Sequence, residues 1–191
     1  GRQDDPVPEF VRTVVAVDPS GCSGDEDTRS DEIGITVVGL GVDGHGYLVE
    51  DVSGRYGPND WGTIAAQAYA RHNADRIIGE VNYGGAMVEA VIRAADEHVS
   101  YKEVRASKGK TVRAEPIAAL YEQGKVHHVG HFPEIEEQLI AMTTSGYYGL
   151  KSPDRADSLI WALTELFPGM TTQPIEDDSD DWNNDTHWMA A

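Results

Sequence analysis

The sequence predicts an α/β domain built on a mixed sheet flanked by helices. Two observations carry this: three strand-like segments follow one another before residue 57, and helical and strand periods alternate from there on. A third is size, since 191 residues with 40% hydrophobic content can bury one core, with or without an appendage. Three strands in succession read as an antiparallel meander, and the strand–helix–strand units after them cross right-handedly to cover both faces.

Residues 12–18, "RTVVAVD", run apolar and read as a buried strand; 32–41, "EIGITVVGLG", reads as a second and 46–56 as a third. The glycine-rich "VDGHG" joins the last two as a tight hairpin. Residues 60–74 then take a helical period with Asp60 as N-cap and Ile64, Ala65, Ala68 and Tyr69 on one face. A short strand follows at 76–82 and a helix at 84–98, with Met87, Val88, Val91 and Ile92 aligned. The rest reads as a strand near 101–106, a helix near 111–123, a short strand at 125–129, and helices near 134–142 and 153–167. Ser152 is the expected N-cap of the last helix and Pro153 its first residue.

The net charge of -18 argues against a generic polyanion binder. Six acids and no Lys or Arg fall in residues 170–191, a stretch read as disordered, in which Trp182 and Trp188 are possible anchors. The chain opens at Gly1 without methionine, so an excised fragment or a cleaved tag is expected. No run approaches the ~18 apolar residues of a membrane helix and no signal peptide opens the chain, which points to a soluble cytoplasmic protein without a membrane partner. The single cysteine, Cys22, excludes an internal disulfide and a cysteine-based zinc cluster.

Three acids stand out against this background. Asp18 ends the first apolar strand in "AVDPSG", where it either opens a turn or is held rigidly over a site. Glu80 interrupts "RIIGEVN", either on an edge facing water or buried with a partner, a cation or a raised pKa. Asp154 suits the first turn of the last helix, and Asp157 follows one turn on, at the border of the stripe Ala156, Leu159, Ile160, Leu163 and Leu166. In a mixed sheet whose first and fourth strands are neighbours these carboxylates can converge. Hard Mg²⁺ or Mn²⁺ ions take oxygen ligands, and two of them about 4 Å apart clamp the attacking and leaving oxygens of a phosphodiester.

A third of the cations fall in residues 102–113, where Lys102, Arg105, Lys108, Lys110 and Arg113 form either a solvated connection or a phosphate-contacting one. "GKT" at 109–111 is not a phosphate-binding loop, because position 104, where that pattern needs Gly, is Val. His127 and His128 are adjacent on a strand, so only one of them can face a given site, and with His131 they read as ordinary side chains. Asp25, Glu26, Asp27, Asp31 and Glu32 read as a solvated acidic loop.

The segments "VVAVDPSGCSG", "SDEIGITVVGLG", "IIGEVNYGGAMVEAVIR", "ASKGKTVRAEPIAALYEQGKV" and "SPDRADSLIWALTEL", in this order and spacing, resemble the C-terminal nuclease domain of the large terminase subunit of tailed bacteriophages. The resemblance covers residues 12–168, leaving 1–11 as a leader and 169–191 as the acidic tail. It implies a ribonuclease H-like fold and a metal-dependent endonuclease that cuts concatemeric viral double-stranded DNA in the host cytoplasm when packaging begins and ends. By motif, Asp18 matches the first-strand acid that bridges two Mg²⁺ or Mn²⁺ ions, Glu80 the second acid and Asp157 the final-helix acid. Asp154 falls where the family often has an auxiliary acid or histidine, and "SKGKTVR" matches a basic element near DNA. Implied partners are an ATPase motor domain, absent from this chain, the portal protein and the small terminase subunit. A Holliday-junction resolvase or transposase of the same fold, and a non-catalytic docking module for the portal or small subunit, are the alternative readings.

Overall fold

A computed structural model describes residues 6–19, 32–81, 85–106, 109–143, 146–149 and 152–171. Strands β1 (Phe10–Asp18), β2 (Gly34–Gly41) and β3 (Gly46–Asp51) form the expected antiparallel meander, with Asp18 opposite Gly34 and Thr36 opposite Asp51. Gly44, at φ 78°, turns the β2–β3 hairpin in a conformation other residues rarely adopt.

After α1 (Pro58–Arg71), β4 (Arg76–Glu80) returns to lie parallel to β1. Helix α2 (Gly85–Ala95) leads to β5 (Tyr101–Val104), parallel to β4, and α3 (Lys110–Glu122) crosses to β6 (Val126–His128), which pairs parallel with β3 at the opposite edge. The sheet order is therefore β5-β4-β1-β2-β3-β6. Helix α4 (Pro133–Ala141), the two-residue strands β7 (Met142–Thr143) and β8 (Gly146–Tyr147), α5 (Asp154–Leu166) and α6 (Pro168–Thr171) complete the chain.

Alternation along the strands divides the core in two. Val15, Val17, Ile35, Val37 and Ile77 meet Trp61, Ala65 and Ala68 of α1 and Val88 and Ile92 of α2. Val14, Ala16, Val38, Leu48 and Ile78 face the other way, onto α3, α4 and the Leu159, Ile160 and Leu163 stripe of α5. Both faces of the central strands are buried, which is why "VVAV" and "ITVV" read as continuous apolar runs.

Several boundaries differ from expectation. Helix α1 starts at Pro58 with Gly57 in the capping position, so Asp60 is a first-turn acid rather than the N-cap; Pro58 presets the first helical φ. In α5 the capping position is Pro153, and the hydroxyl of Ser152, the expected cap, donates to Asp154 Oδ1. The third strand ends at Asp51, and Gly54 instead bridges back to Ile33. Pro168–Thr171 forms α6, and residues 172–191 lie outside the described residues, as do Cys22 and four of the acids of the 25–32 loop.

Candidate active site

Asp18 and Glu80 end two neighbouring parallel strands in which Val17 lies opposite Gly79, so the two carboxylates stand side by side. Asp18 shares its face with Ala16, and Glu80 with Ile78, the face that α5 covers. Both are buried, which settles Glu80 as an interior acid. Asp154 and Asp157 descend onto them from the start of α5 and are each 1% exposed, so they lie inside the stripe rather than at its border.

Gly34 makes this approach possible. It is paired with Asp18, and a Cβ at this position would collide with the Asp154 main-chain carbonyl. The start of α5 is further held by Arg155, whose guanidinium forks onto both oxygens of Glu32 at 2.6 and 2.9 Å and reaches Asp51 Oδ2 at 2.8 Å.

Crowding has an electrostatic signature. Burial, then the charges of Glu80, Asp157 and Asp154, hold the Asp18 carboxyl well above its usual range, with Lys110 opposing them. Burial also raises Asp157, against the lowering pull of Lys110 and Arg113. Burial of Lys110 works to lower its pKa, but its attraction to Asp157 prevails and the net shift is upward.

Lys110 Nζ donates to Asp157 Oδ2, and the indole N–H of Trp161 donates to Glu80 Oε2 at 2.9 Å. Arg113 lies 4.6 Å over the Trp161 ring and 3.9 Å from Asp157 Oδ1. No group of three or more His, Cys, Asp or Glu among the described residues is arranged to hold a metal ion, and Glu80 and Asp157 are turned to protein donors. Asp157 Oδ1, however, is buried without a hydrogen-bond partner among the described residues, and the four carboxylates are the hard oxygen donors that Mg²⁺ or Mn²⁺ takes. The donor set fits such ions.

Of the five cations expected on phosphates, Lys110 and Arg113 are at this cluster, where they face Asp157. Lys102 reaches Glu165 near the far end of α5 and Arg105 pairs with Glu103, so neither joins them; Lys108 lies outside the described residues. His127 and His128 project to opposite sides, toward His45 and Tyr121, and neither meets the carboxylates. Reading the sequence missed Trp161, Arg155 and Gly34. Only Trp161 carried a signal, as an indole one turn after Asp157 whose N–H needs a partner when buried.

A mixed sheet in this order, with acids at the adjacent ends of β1 and β4 and on the covering helix, defines a ribonuclease H-like fold. The chain matches the Terminase RNaseH-like domain family over residues 15–166 and belongs to it. Among solved structures it is similar to the nuclease domain of the large terminase subunit gp2 of bacterial virus Sf6, with TM-score 0.60 and 14% identity over 84% of this chain and 90% of that one. It is also similar to the large terminase nuclease from thermophilic phage G20c with bound magnesium, with TM-score 0.59 and 16% identity over 84% of each chain. At these identities the likeness speaks for the fold. No protein among the curated sequences matches, and no helix among the described residues is long and apolar enough to cross a membrane.

Proposed function

We propose that this chain is a divalent-metal-dependent endonuclease that cuts concatemeric double-stranded DNA during viral genome packaging. The observation that carries it is the buried cluster of Asp18, Glu80 and Asp157, with Asp154, on β1, β4 and α5, in which the other three acids are near enough to raise the Asp18 carboxyl. Asp18, Glu80 and Asp157 would hold the cations, and Asp154 would assist. When bound, a pair of Mg²⁺ or Mn²⁺ ions supplies Lewis acidity to the attacking water and to the leaving 3′ oxygen.

Lys110 and Arg113 supply positive charge at the same point, where a phosphodiester's own charge has to be met. Trp161 fixes the Glu80 carboxylate, and Arg155 with Gly34 fixes the start of α5. An ATPase motor, the portal and the small terminase subunit are the partners this role requires.

Supercoiled plasmid incubated with Mg²⁺, with Mn²⁺ and with chelator tests the reading. Nicking and linearisation with either metal, abolished by chelator and by Asp18→Asn, is expected. Failure of both metals to support cutting would overturn it, and a preference for four-way junctions over duplex would replace packaging with junction resolution.

A further inference from the structure

Helices α3 and α4 enclose a cavity of about 710 Å³ on the sheet face that carries α5. Its floor and walls are carbon: Ala114, Ile117 and Ala118 from α3, Leu139 from α4, then Met142 and Ile160. Ile140, which also lines it, is 82% exposed, an apolar side chain of that size left to water.

Three of the polar groups lining the cavity, His128, Tyr121 and Glu136, are committed to one another. His128 Nδ1 lies 3.0 Å from Glu136 Oε1, an acceptor when ionised, and His128 Nε2 lies 2.7 Å from the Tyr121 hydroxyl. A small polar ligand takes its orientation from convergent, available donors and acceptors. Here those atoms are turned to each other, and what the cavity offers is apolar area.

Charge selects among the remaining occupants. Glu115, Glu122 and Glu136 line the cavity, and no Lys or Arg does. Residues 170–191 carry six acids and no base, and a second copy carries a net charge of -18, so both are repelled from an acidic rim. A groove between two helices with an apolar floor and acidic edges complements an amphipathic helix with basic flanks. We propose that the α3–α4 groove docks such a helix from a partner protein, with an apolar stripe at i, i+3, i+4 and i+7 in the groove and Lys or Arg beside Glu115, Glu122 and Glu136. The site needs neither DNA nor metal, so its test is independent of cleavage.

The probe is a fluorescein-labelled helical peptide of ~16 residues, with Leu on one face and Lys on its borders, titrated into the full chain by anisotropy. Its control is a peptide of identical composition whose leucines are scattered around the helix. The amphipathic peptide is expected to bind at least about tenfold tighter than the scattered one. Ile140→Ser and Ala118→Trp, which remove and fill the apolar surface, are expected to abolish that difference. In methyl NMR the peptide is expected to shift the Met142 and Ile140 resonances. Equal binding of both peptides, or an undiminished preference in both variants, would overturn the proposal. So would a change in the Met142 and Ile140 methyls on substituting Trp182 and Trp188 by Ser without peptide, since the tail would then hold the groove. A dimer in sedimentation that Ile140→Ser dissociates would overturn it in favour of a second copy.

Discussion

Trp161 and Glu80, 81 positions apart in the chain, are joined by a buried indole N–H···Oε2 hydrogen bond of 2.9 Å. Phenylalanine at 161 keeps most of the ring's packing and removes the donor. A buried acceptor left without its partner costs about 1–3 kcal/mol, so Trp161→Phe is expected to lower the melting temperature of the metal-free protein. The rise in melting temperature on adding Mn²⁺ should also shrink, because Glu80 is no longer held. Calorimetric scans with Mn²⁺ and with chelator measure both, and an undiminished Mn²⁺ response would remove Trp161 as a positioning residue.

Asp18→Asn separates a strained carboxylate from a turn former. The folded-state pKa of Asp18 is raised above its ordinary value of 3.8. Below that value the carboxyl is neutral in both states and costs nothing. As pH rises toward the folded pKa, the unfolded chain releases its proton first and stability is lost. Asp157 shifts in the same direction. Metal-free parent protein is therefore expected to lose stability from about pH 4 upward, and Asp18→Asn to flatten that decline and match or exceed the parent at neutral pH. Cutting should collapse in the same variant. Thermal melts across pH in chelator, with plasmid nicking alongside, decide it: a variant less stable than the parent at pH 7 that still cuts would mean that Asp18 only shapes the turn.

The strands and their terminal acids were legible because each announces itself locally. Asp18 and Glu80 break apolar runs, and a carboxylate there has to be explained on its own segment. Asp154 and Asp157 were legible as acids one turn apart, but their full burial was not, since the border of a helical stripe depends on how closely the sheet approaches. That distance is set by Gly34, which only reads as significant once β2 and α5 are in contact. Cation directions were equally hidden. Lys102 and Lys110 lie eight positions apart in one basic run, yet one turns to Glu165 and the other to Asp157. Such pairings join segments far apart in the chain, as Arg155 does with Asp51 across 104 positions, and no local period encodes them.

Gly34→Ala tests the approach of helix to sheet. The added Cβ would meet the Asp154 carbonyl, which is backbone and cannot swing aside, so α5 has to lift from β1 and β2. Overpacking of this kind costs about 1–3 kcal/mol, and the same lift draws Asp154 and Asp157 away from Asp18. Urea unfolding is expected to show the loss of stability, and the Mn²⁺-induced rise in melting temperature should fall further than in a control such as Gly109→Ala, where nothing lies within 4 Å of the added methyl. Equal responses in the two variants would show that α5 does not rely on Gly34.

Arg155 is expected to contribute more than a surface ion pair does. Its side chain is 15% exposed and that of Asp51 only 5%, so Arg155→Ala leaves a buried carboxylate without its cation. Breaking a buried pair from one side costs about 3–5 kcal/mol, and the lower end is expected because Glu32 keeps 28% exposure and can turn to water. Lysine retains the charge but cannot span Glu32 and Asp51 with a planar fork, so Arg155→Lys should recover only part of the loss. Added salt screens exposed charges far more than buried ones, so raising ionic strength should leave the difference between parent and Arg155→Ala nearly constant. Both variants should respond less to Mn²⁺, since residue 155 lies between Asp154 and Asp157 and its grip sets where they stand. Urea unfolding at low and high salt, with melts in Mn²⁺ and chelator, measures each of these. A loss in Arg155→Ala below about 0.5 kcal/mol, the range of an ordinary surface substitution, would show that the start of α5 is held without the fork.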